Sequence, residues 1–280
     1  MTISIGLIPD KERVMILQDS EGTWANLSLA HDVMTSKIQR IGSALVGIIG
    51  SPDFANEVLD IAKRYVEKAK SENREITSAN LQGILEEAYH EVRDSKFTKG
   101  LVRKYGLENI AQVTKGRDID DYVKRRVFDA LDKPENFSLE LMLACNIDRP
   151  LLCTVHYPGV GVVYDNTKLY SVAGSGSIKA IDTLGVELEN YKWSSEIGRE
   201  DAMRILIHAT KAAERHVGVG GPFDLWEICK GSEPIRIDSR KLNMLLYAAP
   251  YFKSKGDFNK SLKILLSAEK EEEMVRFLRD

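Results

Sequence analysis

The chain opens with two short apolar runs, ISIGLI at residues 3–8 and RVMILQ at residues 13–18. The sequence between them includes Pro9 and Asp10, which favour a turn, so the two runs predict an antiparallel hairpin. The same pattern of apolar runs bounded by turn residues predicts further strands at residues 37–41, 44–49, 139–147, 151–157, 160–164, 168–173, 224–229 and 234–237.

Helical periodicity separates these groups of strands. Ser51 followed by Pro52 is typical of a helix start, with the serine as N-cap and the proline at the first helical position. The apolar residues that follow at helical spacing are Phe54, Val58, Ile61, Tyr65 and Ala69. Further helices are predicted in the charged segment 77–135, at about 177–190, at about 199–216 and, as a pair, in the C-terminal region.

The predicted helix at about 199–216 has two opposite faces. One is an apolar stripe formed by Ala202, Leu206, Ala209, Ala213 and His216. The other carries Arg204, His208, Lys211 and Arg215. A histidine on an apolar stripe is more often a core residue than a ligand, so we expect His216 to be part of the core.

The predicted order of elements is four strands, two helices, four strands, two helices, two strands and two helices. A doubly wound parallel sheet would alternate single strands with single helices, so this order argues against it. It favours an α+β fold in which two mainly antiparallel sheets pack face to face and a helix pair covers each outer face, a four-layer αββα sandwich. We expect residues 1–280 to form one such domain, with a charged helical insertion at about 91–136.

Composition narrows the classes of function. The 280 residues include 39 Lys and Arg against 42 Asp and Glu, which gives a formal charge of −3, and 43% are hydrophobic. A packed core is therefore feasible, and the overall charge gives no reason to expect nucleic acid or a membrane as partner. The sequence shows neither a signal peptide nor a membrane helix, so we expect a cytoplasmic protein.

The three cysteines are widely separated and form no CxxC pair; they are Cys145, Cys153 and Cys229. An odd, sparse count is typical of buried thiols rather than of a disulfide framework or a zinc site. We expect no metal and no bound cofactor.

Thr2 is the first candidate for chemistry. Methionine aminopeptidase generally removes Met1 when a small residue such as threonine follows, which would leave a free N-terminal threonine. Such a residue is a self-sufficient nucleophile, because its hydroxyl attacks a carbonyl while its own α-amine accepts the proton. Taken alone, Thr2 is better explained as an ordinary residue that follows the start codon.

Three further residues support a site at Thr2. Asp19 ends the second predicted strand and Lys37 begins the third, so both are expected beside the start of the first strand. A lysine there would lower the pKa of the amine and the hydroxyl, and Asp19 would orient it. Gly47 has no side chain to block a carbonyl, and its amide is a candidate oxyanion donor. The alternatives are a surface ion pair for Asp19 and Lys37 and a bend before a helix for Gly47.

The segments TISIG at 2–6, VMILQD at 14–19, KIQRI at 37–41 and VGIIGS at 46–51 resemble the opening of proteasome β subunits and their bacterial relatives. Later blocks look similar to the same family, namely LMLACNID at 141–148, LYSVAGSGS at 169–177 and REDA at 199–202. These proteins are N-terminal nucleophile hydrolases, and the family has the αββα sandwich. The resemblance covers residues 2–75 and about 139–230.

The resemblance implies a role for each matching residue. Thr2 would be nucleophile and base, Lys37 the cation that lowers the pKa, Asp19 its partner and Gly47 the oxyanion donor. Ser175 would hydrogen-bond the α-amine or the water that relays its proton. A competing interpretation of residues 174–177 (GSGS) is a phosphate loop, but the GxxxxGK[ST] pattern is absent.

Two positions depart from the family pattern, which usually has an Asp and, three residues later, a Ser before a Gly-Gly pair. Here His216 and Val219 stand at those two positions, before Gly220 and Gly221. The substitution by valine removes a hydroxyl outright, which puts the activity in question.

The expected activity is that of a threonine-type peptidase or amidohydrolase acting on a peptide or amide substrate, in a chain that self-associates into homo-oligomers. The alternative is a non-catalytic, proteasome-like structural or assembly subunit. The insertion mixes basic residues with acidic ones, so we expect it to be solvated or to contact another subunit rather than to bind nucleic acid.

Overall fold

The computed structural model describes residues 2–19, 37–97, 99, 103–106, 112, 119–131, 139–156, 160–164, 169–189, 191, 196–216, 219–252 and 254–267. The strands in these ranges are β1 (Ile3–Asp10), β2 (Arg13–Asp19), β3 (Ile38–Ile41), β4 (Ala44–Gly50), β5 (Leu139–Asn146), β6 (Pro150–His156), β7 (Val160–Tyr164), β8 (Tyr170–Gly174), β9 (Phe223–Cys229) and β10 (Ile235–Arg236). The helices are α1 (Pro52–Ser71), α2 (Ser78–Phe97), α3 (Asp121–Leu131), α4 (Ser177–Leu188), α5 (Arg199–Ala213), α6 (Ser239–Ala248) and α7 (Lys255–Ser267).

The strands form two antiparallel sheets. The first sheet has the order β10-β9-β2-β1-β8, and the second has the order β3-β4-β5-β6-β7. The predicted hairpin of β1 and β2 is present in the first sheet, and the next two predicted strands, β3 and β4, pair with each other in the second. The chain therefore crosses from one sheet to the other between Asp19 and Lys37.

Three apolar layers hold the molecule together, as expected for a two-sheet sandwich of the α+β class. The layer between the sheets includes Ile16 of β2, Leu45 of β4 and Leu152 of β6. The outer face of the first sheet packs on α4, α5, α6 and α7, and that of the second packs on α1, α2 and α3. The alternation of side chains along each strand supplies two of these layers at once.

Helix α1 begins as predicted. The Ser51 side chain accepts a hydrogen bond from the Phe54 amide at 3.4 Å, and Pro52 is in the first turn. Several stretches of the predicted insertion at 91–136 lie outside the described residues; within it, α3 contributes the buried Val127 to the core of the second sheet. No helix in the described ranges combines the length and apolar character needed to cross a membrane.

Helix α5 ends at Ala213 and is covered on both sides. Its predicted apolar stripe from Ala202 to Ala213 is buried, but Arg204, on the opposite face, is also only 6% exposed. The reason is α7, which packs over α5: Lys255 Nζ lies 2.7 Å from Asp201 Oδ2, and the Asn259 amide donates to Asp201 Oδ1 at 3.0 Å. The prediction that His216 is a core residue is wrong, because it follows the end of the helix and is exposed.

Glu187 of α4 forms hydrogen bonds with two side chains of α5. Its Oε1 lies 2.7 Å from His208 Nδ1, and its Oε2 accepts a hydrogen bond from Arg204 Nη1 at 2.7 Å. The hydrogen bond from His208, followed by that from Arg204, lowers the pKa of Glu187 to about 2 against the opposing effect of burial. The ionised form of Glu187 is therefore more stable, relative to its protonated form, in the folded protein than in the unfolded protein.

The substitution Glu187→Gln is expected to lower the free energy of unfolding by about 1 to 2 kcal/mol at neutral pH, allowing for solvent screening of a partly exposed group. Because the folded pKa is depressed, this stabilisation is present above the ordinary pKa and is lost as pH falls towards about 2. Urea unfolding at pH 7, 4 and 2.5 measures it, with Asp182→Asn, an exposed carboxylate of the same helix, as control. A wild-type–variant difference independent of pH contradicts the assignment.

Candidate active site

Thr2, Asp19 and Lys37 meet at one end of the sandwich. Thr2 directly precedes β1, Asp19 ends β2, and Lys37 directly precedes β3 in the other sheet. The Lys37 ammonium donates to Thr2 Oγ1 at 2.9 Å and to Asp19 Oδ2 at 3.1 Å. One cation thus connects the hydroxyl and the carboxylate of one sheet to the edge strand of the other.

Asp19 is held on both oxygens. Its side chain is 1% exposed, and while Oδ2 contacts Lys37, Oδ1 accepts a hydrogen bond from the Ile3 amide at 3.0 Å. Burial raises the pKa of Asp19 above its ordinary value, although the Lys37 ammonium and the Ile3 amide act in the opposite direction. The carboxylate has no rotational freedom left, so it fixes where the Lys37 ammonium sits.

The contact between Lys37 and Thr2 has a defined polarity. Lys37 is 16% exposed and donates into a lone pair of Oγ1, so the hydroxyl proton of Thr2 is directed elsewhere. A positive charge at this distance favours the alkoxide over the hydroxyl and a neutral over a protonated amine. An arrangement of this kind is suited to activating a hydroxyl oxygen as a nucleophile.

Gly174 and Ser175 contact the backbone carbonyl of Thr2 and fix its position. The Ser175 amide donates to Thr2 O at 3.0 Å, and the Ser175 hydroxyl lies 3.4 Å from the same oxygen. Gly174 has φ +99°, and a Cβ there would lie 2.1 Å from Thr2 O. Ser175 was predicted from the sequence, whereas Gly174 was not. The position of Gly174 at the end of a predicted strand and before a predicted helix could have indicated a close backbone approach.

Gly47 lies in the middle of β4, in register with Ile38, and a Cβ there would contact Gln18 and Ser4 of the other sheet. The amide of the next residue, Ile48, donates to Lys37 O at 2.9 Å. Successive amides of a strand point to opposite sides, so the Gly47 amide points to β5, where Met142 is its partner in the sheet. The alternation therefore places the Gly47 amide on the β5 side of the strand.

Gly50, at the end of β4, is the glycine that the sequence analysis passed over. The same alternation directs the Gly50 amide to the side of β4 on which Lys37 and β3 lie. β3 pairs with β4 from the Ile38–Gly47 pair onwards, so Gly50 extends past the end of β3. Gly50 is exposed and has φ +108°, a conformation that favours glycine. Its position between a strand and a helix N-cap was the signal.

The two departures from the family pattern have different surroundings. Val219 is 7% exposed and packs within the core of the first sheet; its Cγ2 would lie 3.0 Å from a Cβ at Gly176. The backbone carbonyl of His216 accepts a hydrogen bond from the Val219 amide at 3.1 Å. The valine thus supports the turn that carries Ser175 through packing rather than through a hydroxyl.

Metal chemistry has no side-chain cluster to support it in the described part of the chain. No group of three or more His, Cys, Asp and Glu side chains is placed there to hold a metal ion. Burial raises the pKa of Cys145 to about 11 and that of Cys153 to about 12, so both thiols stay protonated.

No known protein-family model matches the chain, and no curated protein matches its sequence.

The substitution Gly174→Ala is expected to destabilise the protein by at least about 2 kcal/mol, because it combines an unfavourable backbone conformation with a clash against Thr2 O. The matched control is Gly185→Ala in α4, where a Cβ meets nothing within 4 Å. That change should stabilise the helix by about 0.5 to 1 kcal/mol. Thermal unfolding of the two variants checks both signs; equal effects contradict the close approach at Gly174.

Proposed function

We propose that the protein is an N-terminal-threonine hydrolase of the peptidase or amidase type, related to the proteasome β subunits and their bacterial relatives. The observation that carries this proposal is the Lys37 ammonium, 2.9 Å from Thr2 Oγ1 and anchored on the buried Asp19. A surface ion pair would be exposed and would involve no hydroxyl. The two-sheet fold supports the same family, since an αββα sandwich is what the resemblance implies.

The reaction requires that Met1, which lies outside the described residues, is removed. The freed α-amine of Thr2 takes the hydroxyl proton as Oγ1 bonds to the substrate carbonyl carbon, and the carbonyl oxygen becomes an oxyanion. The tetrahedral intermediate collapses when the amide C–N bond breaks and the leaving amine receives the proton. Water then attacks the resulting ester, with the α-amine again as base, and releases the acid and free Thr2.

The surrounding groups have separate tasks in this reaction. Lys37 lowers the pKa of the hydroxyl and of the α-amine through its charge, and Asp19 holds Lys37 charged and in place. Ser175, through its contacts with Thr2 O, orients the N-terminal residue. Gly47 stays the oxyanion donor that the resemblance implies, and the Gly50 amide, on the Lys37 side of β4, is a second candidate.

A peptide β-lactone tests the nucleophile directly, because attack by Oγ1 opens the ring and leaves an ester of known added mass. We expect the protein lacking Met1 to gain one adduct at Thr2 and Thr2→Ala to gain none. Lys37→Ala should react about 10²- to 10⁴-fold more slowly, the usual range for losing an acid–base contribution. The matched control is Lys260→Ala, at an exposed lysine of α7, with an unchanged rate.

Intact mass, followed by peptide mapping, reads out the adduct. Equal labelling of wild type and Thr2→Ala rules out Thr2 as the nucleophile. A preparation confirmed to lack Met1 that does not react at all favours the alternative, a non-catalytic structural subunit, for which the Val219 departure is the motivating feature.

The proposed family also implies self-association. Ile178 and Val186 of α4 are 72% and 69% exposed. Contact with a second subunit would remove this apolar surface from water. Light scattering at micromolar concentration is expected to show a species larger than the 31.4 kDa chain. A monomer at every concentration tested contradicts this expectation and leaves the chemistry at Thr2 unaffected.

A further inference from the structure

Gln18 is a polar residue in the apolar layer between the two sheets. It is fully buried, precedes Asp19 in β2, and its neighbours in that layer include Ile16 and Leu45. A buried amide is costly unless its hydrogen-bonding groups are used, so its presence here needs a physical reason.

The amide group of Gln18 connects the two sheets. Its Nε2 donates to Ile48 O in β4 at 2.5 Å. The amide of the same Ile48 donates to Lys37 O at 2.9 Å. The backbone of Lys37 is thus tied through one residue, Ile48, to the residue that precedes Asp19.

Gly47 provides the space that this connection needs. A Cβ at Gly47 would lie 2.7 Å from Gln18 Oε1 and 2.9 Å from Ser4 Oγ, distances that real Cβ atoms do not adopt. Gln18 Oε1 is buried and has no hydrogen-bond partner among the described residues. The side chain is therefore placed for its donor group, at the expense of its acceptor.

We propose that Gln18 is a positioning residue of the site at Thr2, which sets the separation of the two sheets where Lys37 must reach Thr2 and Asp19. The proposal deepens the proposed function and rests on it for its catalytic consequence. Asp19 and Thr2 belong to the first sheet and Lys37 to the second, so a small change in sheet separation changes the Lys37–Thr2 distance directly. Misplacement of about 1 Å in a catalytic contact can reduce a rate about a hundredfold.

Gln18→Met tests the role of the hydrogen bond from Gln18 to Ile48 O, because methionine nearly conserves the side-chain volume and lacks the amide donor. The matched control is Thr154→Val, which removes a second buried hydrogen bond between the same sheets, the 3.0 Å contact of Thr154 Oγ1 with Ser171 Oγ. Thr154 lies in β6, whereas Lys37 and Ile48 belong to the β3–β4 side of the second sheet. Both variants lose one inter-sheet hydrogen bond, and only one loses it beside the site.

Two measurements distinguish positioning from a general loss of stability. Hydrogen exchange of the Ile48 amide reports the Ile48–Lys37 hydrogen bond and needs no activity. The pH dependence of β-lactone addition to Thr2 reports the α-amine: as Lys37 moves away, the amine pKa rises, so the acidic limb of the profile shifts to higher pH. We expect Gln18→Met to exchange Ile48 at least about tenfold faster and to shift the limb, and Thr154→Val to do neither.

The proposal is overturned if Gln18→Met leaves both measurements unchanged, or if Thr154→Val changes them equally. If the wild-type protein lacking Met1 does not react with the β-lactone, the proposed function fails. Exchange of the Ile48 amide in Gln18→Met still decides whether Gln18 holds Ile48 and Lys37 in place. Should Gln18→Met fail to fold, Gly47→Ala is the second variant, since its methyl group displaces Gln18 and keeps the Gly47 amide. The same shift is expected, and an unchanged profile with unchanged exchange overturns the proposal.

Discussion

The contact of one lysine with a hydroxyl and a carboxylate is the interaction on which the site depends. Asp19 is buried, and an uncompensated buried carboxylate costs about 3 to 5 kcal/mol, so it requires the Lys37 ammonium. Lys37 belongs to the other sheet, so the ion pair is satisfied only when both sheets are stacked in register. Folding and the assembly of the site are therefore the same event.

The position of Thr2 is determined by the backbone rather than by side-chain packing. Its carbonyl is held by the Ser175 amide, and Gly174 approaches it more closely than any residue with a Cβ could. Because the backbone is fixed on one side and Lys37 contacts the hydroxyl on the other, Thr2 Oγ1 is aimed before any substrate binds. Such preorganisation is what a nucleophile needs to act without reorganisation of its surroundings.

Local patterns predicted most of the fold, and long-range contacts account for what they missed. The hairpins and the start of α1 follow from apolar runs, turns and a capping serine, all of them short-range signals. The burial of Arg204 depends on α7, which is distant in sequence. His216 is exposed because the helix ends at Ala213. Periodicity alone predicted that the helix and its apolar stripe continue to residue 216. The direction of the Gly47 amide could not be predicted from local patterns, because it depends on which neighbouring strand lies on each side of β4.

The departure at Val219 fits a site that relies on charge more than on a network of hydroxyls. A hydroxyl at this position would be nearly buried and would need its own partners, whereas the valine fills the space against Gly176 and stabilises the turn before α4. That turn presents Ser175 to Thr2 O, so packing takes over the supporting role of a hydrogen bond. The Lys37 charge acts on Thr2 from the opposite side and is independent of residue 219. If the proposed function holds, loss of the hydroxyl at 219 leaves the contact between Lys37 and Thr2 intact and alters only how the backbone of Thr2 is held.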